Sequence, residues 1–181
     1  TFYMVGGAFR NLAKIHITRH NYPLKVLHNF TVGTSELLET IEVVKKMPKK
    51  AIFQASDIPK KRYETLPLAA VIAERVLLIG KPKNIVFSAS GIREGLLYDG
   101  LTKKEQRRPP LIAGCEDMVE RMLYRSDYGH ELAKWMNGLF KNGQGQKKRL
   151  RLAACILSEI SCYENTEYRA ELAYRRIIDS S

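Results

Sequence analysis

Cysteine is scarce in this sequence, and its few cysteines are poorly spaced for structural chemistry. The chain contains three, Cys115, Cys155 and Cys162, and no two of them form a CxxC pair. An odd number without paired spacing argues against a disulfide framework and against a zinc knuckle. Reduced cytosol is the simplest environment for such a chain, so we expect a cytoplasmic protein.

Long apolar runs are also lacking. The longest apolar stretch, residues 66–79, is interrupted by Glu74 and Arg75 and is too short to cross a bilayer. The familiar nucleotide signatures are missing as well, because neither a Walker loop nor a GxGxxG fingerprint occurs. The sequence therefore predicts a soluble protein with no membrane partner.

Acidic residues are outnumbered by basic ones. The chain has 30 Lys and Arg against 19 Asp and Glu, which gives a formal net charge of +11. Such a surplus favours a polyanionic partner, either nucleic acid or a phosphate-rich substrate, although a basic surface without any ligand is an equally good interpretation. The basic groups are dispersed between acids, which is typical of folded faces, at Lys45-Lys46, Lys49-Lys50, Lys60-Lys61-Arg62, Lys103-Lys104, Arg107-Arg108 and Lys147-Lys148-Arg149.

Strands and helices alternate up to about residue 101. Apolar residues with β-branched or alternating patterns predict strands, and apolar residues at helical spacing predict helices. A doubled glycine, Gly6-Gly7, separates the first strand from the first helix. This alternation predicts an α/β layer, with strands at 2–5, 24–32 and 84–88. Helices are predicted after residue 7, after Gly33, from Pro67 through Ile79 with Gly80 as the C-cap, and from Arg93 to Leu101.

Only helical periods follow. Residues 102–110 are polar and basic with a double proline, so we interpret them as a linker. Residues 111–181 are predicted to be all-α, with helices at 115–124, 127–140, 150–161 and 166–178.

Two corners join a predicted strand to a predicted helix through small residues, at 5–8 and at 87–93. Glycine allows close approach of a ligand to the backbone, and free amides at a helix start attract phosphate. At the second corner Arg93 adds a guanidinium suited to phosphate oxygens. The alternative is that the glycines only make tight turns. The candidate substrate-binding residues are Gly6, Gly7, Ser90, Gly91 and Arg93.

The histidines give little support for a metal site. His16 and His20 are four residues apart, as zinc ligands can be, but Ile17 occupies the position where a zinc protease carries glutamate. His28 alternates with apolar residues and is interpreted as a core or edge histidine. We therefore expect no metal ligands in this chain.

Four blocks of the sequence resemble the exopolyphosphatase and guanosine pentaphosphate phosphatase (Ppx/GppA) family in order and spacing. The last block, a small-residue turn followed by Arg-Glu-Gly-Leu-Leu-Tyr, is the most specific. The resemblance extends into the helical part, at 111–128 and 150–160. The blocks are Val5-Gly6-Gly7-Ala8-Phe9-Arg10-Asn11-Leu12-Ala13-Lys14, Tyr22-Pro23-Leu24, Leu66-Pro67 and Ser88-Ala89-Ser90-Gly91-Ile92-Arg93-Glu94-Gly95-Leu96-Leu97-Tyr98.

The resemblance implies a fold and an activity. Residues 1–101 would be the C-terminal part of an actin-like, ribonuclease-H-like α/β domain, and 111–181 the first part of an HD-like all-helical domain. Polyphosphate or guanosine pentaphosphate would lie in a cleft and lose its terminal phosphate with Mg²⁺. In the family, the phosphate loops and the glutamate thought to activate water precede these blocks, so no catalytic residue is expected in this chain.

The resemblance also assigns positions. The Gly6-Gly7 turn matches a family turn that faces the cleft, and Arg93 matches an arginine near bound phosphates. Glu94 is expected to cap its helix or pair locally. In the helical part His130 lies in a matching helix, but Ser158 and Glu159 replace the His-Asp pair of HD enzymes. Because serine cannot replace an imidazole ligand, no metal centre is expected there, and the basic surface would instead help to hold a long anionic chain.

Two other functions are kept as alternatives. One is a basic nucleic-acid-binding module, which we do not favour, and the other is an actin-like fragment that binds nucleotide near residues 88–91 without hydrolysis. The sequence does not distinguish polyphosphate from guanosine pentaphosphate. Oligomeric state is left open, although an exposed sheet edge favours association, for example as a homodimer.

Overall fold

The computed structural model describes residues 1–48, 58–59, 62–122, 127–140 and 145–180. The chain divides into two compact units, residues 1–99 and residues 100–180. The first unit contains a three-stranded sheet with helices, and the described part of the second is helical. The predicted fold class, an α/β part followed by an all-α part, is confirmed.

The first unit is built around a small mixed sheet. Its strand order is β1-β3-β2, with β1 parallel and β2 antiparallel to the central β3. The parallel pair is in register from Phe2 opposite Ile85 to Val5 opposite Ser88. The elements are β1 (Phe2–Val5), α1 (Gly7–Arg19), β2 (Thr31–Gly33), α2 (Thr34–Lys46), α3 (Leu66–Gly80), β3 (Asn84–Ser88) and α4 (Ile92–Asp99).

One apolar core holds this unit together. Side chains from the sheet and from α1, α2 and α3 are almost completely buried in it, among them Met4, Leu12, Leu37, Leu77 and Phe87. Burying a side chain of this size contributes roughly 1.5–3 kcal/mol. Because α1 follows β1 and α4 follows the parallel strand β3, the two helices start at the same edge of the sheet.

The strand predicted at 24–32 is largely wrong. Only Thr31–Gly33 pairs with β3. Asn29 has a φ of 61°, a left-handed conformation that Asn tolerates in turns but that interrupts an extended strand. The apolar alternation correctly predicts that Phe30 is buried. The turn at Asn29 nevertheless prevents the preceding residues from pairing with β3.

The first helix of the second unit lies within the expected linker, residues 102–110. A capping box, in which Thr102 and Glu105 satisfy each other's backbone amides, starts the short helix α5 (Lys103–Gln106). It is followed by α6 (Pro110–Met122), α7 (Tyr128–Met136), α8 (Gln146–Ile156), a 3₁₀ turn (Leu157–Glu159) and α9 (Arg169–Asp179). The helices appear in the predicted order, with ends displaced by several residues.

The core of the second unit is smaller. It consists of Ile112, Cys115, Val119, Ala153, Ile156 and Ile160, contributed by α6, α8 and the residues after α8. Tyr124, the predicted end of one helix, and the basic residues Lys49, Lys50, Lys60 and Lys61 lie outside the described residues. Among the residues that are described, no helix has the length and apolar character needed to cross a membrane.

Candidate anion-binding site

The two small-residue corners lie side by side. Each follows one strand of the parallel pair β1 and β3, and Val5 at the end of β1 is opposite Ser88 at the end of β3. Parallel strands present their carboxyl ends at the same edge of a sheet. The register therefore brings Gly6 and Gly7 of the first corner close to Ser90 and Gly91 of the second.

The first corner depends on a glycine conformation. Gly6 has φ 117° and ψ 154°, a region that is open almost only to glycine. A Cβ placed on Gly6 would meet no atom within 4 Å, so the requirement comes from the backbone dihedrals and not from crowding. Helix α1 starts directly at Gly7 with no acidic residue in its first turn, so the positive end of the helix dipole has no carboxylate of α1 beside it.

An arginine from a distant part of the chain lies against this corner. A Cβ on Gly7 would be 2.9 Å from one terminal nitrogen of the Arg62 guanidinium and 3.1 Å from its central carbon. The cation therefore contacts the start of α1, where the helix dipole is also positive. Two positive groups in contact are electrostatically unfavourable unless an anion joins them, which makes this corner suited to an anionic ligand.

In the sequence, Arg62 stands out only as one member of the basic cluster Lys60-Lys61-Arg62. Its approach to Gly7 is a tertiary contact between positions 55 residues apart (62 minus 7). No local pattern indicates it. The missing side chain of Gly7 is the feature that leaves room for the guanidinium.

The second corner is arranged differently, because its backbone amides already have acceptors. The Ala89 amide donates to His28 Nδ1 at 3.3 Å, and the Ser90 amide donates to Ser88 Oγ at 3.1 Å. The Gly91 amide donates to the Glu94 carboxylate at 2.6 Å. Three successive donors that the sequence suggested for phosphate are thus used by side chains of the same chain.

Glu94 is held as a carboxylate at the start of α4. The pKa of Glu94 is lowered, first by the hydrogen bond from the Gly91 amide, then by its own amide and by the charges of Arg93 and Arg10. Glu94 therefore caps the helix, as the sequence suggested. It also places a negative charge where a phosphate oxygen would bind.

Two arginines accompany this carboxylate. Arg93 is exposed at the start of α4 and is not enclosed in the apolar core. Arg10, on the first turns of α1, donates from a terminal nitrogen to the Ala89 carbonyl at 3.1 Å. Because Arg10 belongs to the helix of the first corner, this bond ties the two corners together. Its Nε is buried and has no hydrogen-bond partner among the described residues.

A shallow depression of about 650 Å³ opens beside the second corner. Its lining includes Val5 from the end of β1, Ser90 and Gly91 from the corner, and Ile92 and Tyr98 from α4. The depression therefore runs from the end of β1 along the start of α4. Of the candidate residues, Ser90 and Gly91 border it.

The described residues do not form a metal site. Within the described ranges, no group of three or more His, Cys, Asp or Glu side chains is placed to hold an ion. The carboxylate of Glu94 is engaged by the Gly91 amide. His16, one of the two histidines weighed as zinc ligands, is buried and bonded to Thr40 Oγ1 at 2.8 Å, and burial lowers its pKa.

The residues that replace the HD pair have local roles. The Ser158 hydroxyl donates to the Cys155 carbonyl at 2.8 Å, which is a turn-closing bond at the end of α8. His130 Nε2 lies 3.0 Å from a Glu116 oxygen, and Arg108 contacts the other oxygen of that carboxylate at 2.6 Å. The HD-like assignment of this unit remains a prediction.

Comparison with known proteins identifies the family. The model of the Ppx/GppA phosphatase family matches residues 2–104, which is more than half of the 181 residues. The chain belongs to this family, and the match covers both corners, Arg62 and Glu94. A search of curated proteins gives no significant match.

Proposed function

We propose that residues 1–99 form one wall of a groove that binds a linear chain of phosphoryl groups, in a protein that removes the terminal phosphate. The substrate would be inorganic polyphosphate or guanosine pentaphosphate. Family membership supports the phosphatase class, and the adjacency of the two corners supports the groove. The observation that carries the proposal is the contact of the Arg62 guanidinium with the start of α1 at Gly7.

Each corner would contribute in its own way. At the first corner, the amides at the start of α1 and the Arg62 guanidinium would bind one phosphoryl group. At the second corner, where the amides already have acceptors, the exposed Arg93 side chain would bind the next one. A guanidinium suits this task because it donates two parallel hydrogen bonds to phosphate oxygens.

Hydrolysis itself is assigned to residues other than these. The resemblance implies that the phosphate loops and the water-activating glutamate would precede the matched blocks, and neither corner offers a metal-binding cluster among the described residues. The proposal therefore includes a Mg²⁺ requirement for the intact enzyme without ligands from this site. A cytoplasmic location is part of the same proposal.

Binding of end-labelled polyphosphate to residues 1–181 tests the groove. Arg93→Ala removes a charge-assisted contact of roughly 1.5–3 kcal/mol, so affinity should fall about ten-fold or more. Arg19→Ala is the matched control, because it removes an exposed arginine at the other end of α1. The control should change affinity less than about two-fold, since a surface charge that far away is screened.

Equal losses in the two variants would show binding by overall charge alone and would contradict the groove.

Phosphate release is the second measurement. With Mg²⁺ and polyphosphate, residues 1–181 should release almost none, whereas a longer polypeptide that carries the upstream loops should release it. Sustained turnover by residues 1–181 would overturn the assignment of catalysis. Displacement of bound nucleic acid by polyphosphate at low salt separates this proposal from a nucleic-acid-binding module.

A further inference from the structure

A cavity of about 490 Å³ lies within the second unit, between α6, α7 and α8. This volume is in the range of small-molecule sites. The residues that line it are numbered 109–155, beyond the matched family region that ends at residue 104. Neither the family match nor the groove proposed above assigns it a role.

The inner surface of the cavity is apolar. Ile112 from α6 and Cys155 from α8 are buried there, and Ala133, Met136 and Leu152 complete the apolar lining. Close packing of α7 on α8 fixes this surface, because a Cβ on Gly129 would be 2.4 Å from the Ile156 Cα. The floor of the cavity can therefore bury the hydrocarbon or heterocyclic body of a ligand.

The rim of the cavity is cationic. Lys134, Lys148, Arg149 and Arg151 line it, and none of the described lining residues is Asp or Glu. Among the described residues, none of these four cations forms an ion pair with a carboxylate. The guanidinium of Arg151 lies 4.4 Å from the centre of the Phe140 ring, a cation–π contact that leaves its charge unneutralised.

The start of α8 adds to this positive charge. Lys148 and Arg149 lie in the first turn of the helix, which has no acidic residue there and no side-chain cap. Cations are unfavourable at a helix N-terminus, where the dipole is already positive. An anion bound at the rim would relieve the repulsion among the four cations and the repulsion between the helix dipole and Lys148 and Arg149. A ligand with an apolar body would also fill the floor of the cavity.

We propose that this cavity binds an organic phosphate, with the phosphate at the Lys148–Arg149 end and the body against Ile112, Met136 and Leu152. Two sources share this chemistry, a nucleoside phosphate and an alkyl or acyl phosphate. All lining residues of this cavity belong to the second unit, whereas the residues of the proposed groove belong to the first.

Trp135 provides a local reporter. It is the sole tryptophan of the chain, it is exposed on α7, and in sequence it is the neighbour of the lining residues Lys134 and Met136. Octyl phosphate and methyl phosphate carry the same head group and differ in their apolar body. Titrated into residues 1–181 and followed by Trp135 emission and by calorimetry, octyl phosphate should bind at least ten-fold more tightly than methyl phosphate. Equal binding of the two would overturn the proposal.

Two variants locate the site. Lys148→Gln with Arg149→Gln should weaken octyl phosphate binding at least ten-fold, whereas the charge-matched control, Lys103→Gln with Lys104→Gln, should change it less than two-fold. Ala133→Leu fills part of the floor, so it should weaken octyl phosphate and leave methyl phosphate unchanged. Equal effects of the test pair and the control pair would overturn the assignment.

Adenosine monophosphate distinguishes the two sources. If it displaces octyl phosphate with comparable affinity, the cavity suits a nucleoside phosphate. If octyl phosphate binds as expected and adenosine monophosphate does not compete, the cavity suits an alkyl or acyl phosphate. Either result supports an organic phosphate site. If neither compound changes Trp135 emission and neither releases heat on titration, the proposed organic phosphate site is overturned.

Discussion

The two corners of the first unit share one architecture and differ in how their polar groups are used. Both follow parallel strands of one sheet and lead into a helix. At the first, Gly6 adopts a glycine-only conformation and the Arg62 cation lies on Gly7. At the second, the Gly91 amide is bonded to the Glu94 carboxylate. Two strand-to-helix corners at one edge of the sheet thus carry opposite local charge.

This difference shows what a small-residue turn can and cannot predict. Gly6-Gly7 and Ser90-Gly91 correctly predict where a strand turns into a helix. Whether the amides there remain available depends on side chains that approach from elsewhere, such as His28 and Arg62. We therefore assign the backbone contacts with phosphate to the first corner and the side-chain contact to Arg93 at the second.

The largest effect should come from the backbone of the first corner. Gly6→Ala forces a Cβ into φ 117°, and such strain costs roughly 1–3 kcal/mol. Gly91→Ala is the matched change at the second corner, because the added Cβ would lie 3.5 Å from Glu94 Oε2, an ordinary contact. It should change the free energy of unfolding by about 0.5 kcal/mol or less. Urea unfolding of both variants measures this, and equal losses would remove the distinction between the corners.

A second change tests the Arg62 contact without this strain. In Gly7→Ala the methyl group would clash with the guanidinium, 2.9 Å away. Because the end of a long side chain can move aside, stability should change little while the cation is displaced. Polyphosphate affinity should fall roughly five-fold, or about 1 kcal/mol. Gly114→Ala on α6, where a Cβ meets no atom within 4 Å, is the control, and an equal effect there would exclude a role for Arg62.

The predictable part of the molecule is the part that local chemistry determines. Short apolar runs that end at small residues predict β1 and β3, and Pro67 and Gly80 mark the two ends of α3. The capping box of Thr102 and Glu105 was missed, although its spacing is visible in the sequence. The strand expected at 24–32 failed because Asn29 turns the chain, and apolar alternation does not report such a turn.

The candidate site was predictable to a similar extent. Local patterns predict the candidate residues Gly6, Gly7, Ser90, Gly91 and Arg93, and the parallel register places their corners together. Their assignment to substrate stays a prediction. The contact of Arg62 with Gly7 and the hydrogen bond from Arg10 to Ala89 each join positions far apart in the chain. One sequence without related sequences gives no signal for contacts of this kind.

The smallest effect concerns the carboxylate of the second corner. Glu94→Gln removes a negative charge from the start of α4, so polyphosphate should bind about two- to three-fold more tightly, a modest gain because exposed charges are screened. The pKa of Glu94 is lowered from 4.5, so the wild-type carboxylate stays ionised at neutral pH and is protonated only below that value. The gain should therefore appear at pH 7 and shrink as the pH falls below 4.5. Weaker binding by the variant at pH 7 would contradict a competing role for Glu94.

The most direct test is a titration of the ¹⁵N-labelled chain with tripolyphosphate, followed through its backbone amide resonances. If the corners form one wall, the amides of Gly6, Gly7 and Gly91 should shift together with a single dissociation constant, and Arg93→Ala should weaken that constant. Unchanged resonances at both corners, or shifts confined to residues 100–180, would contradict the account.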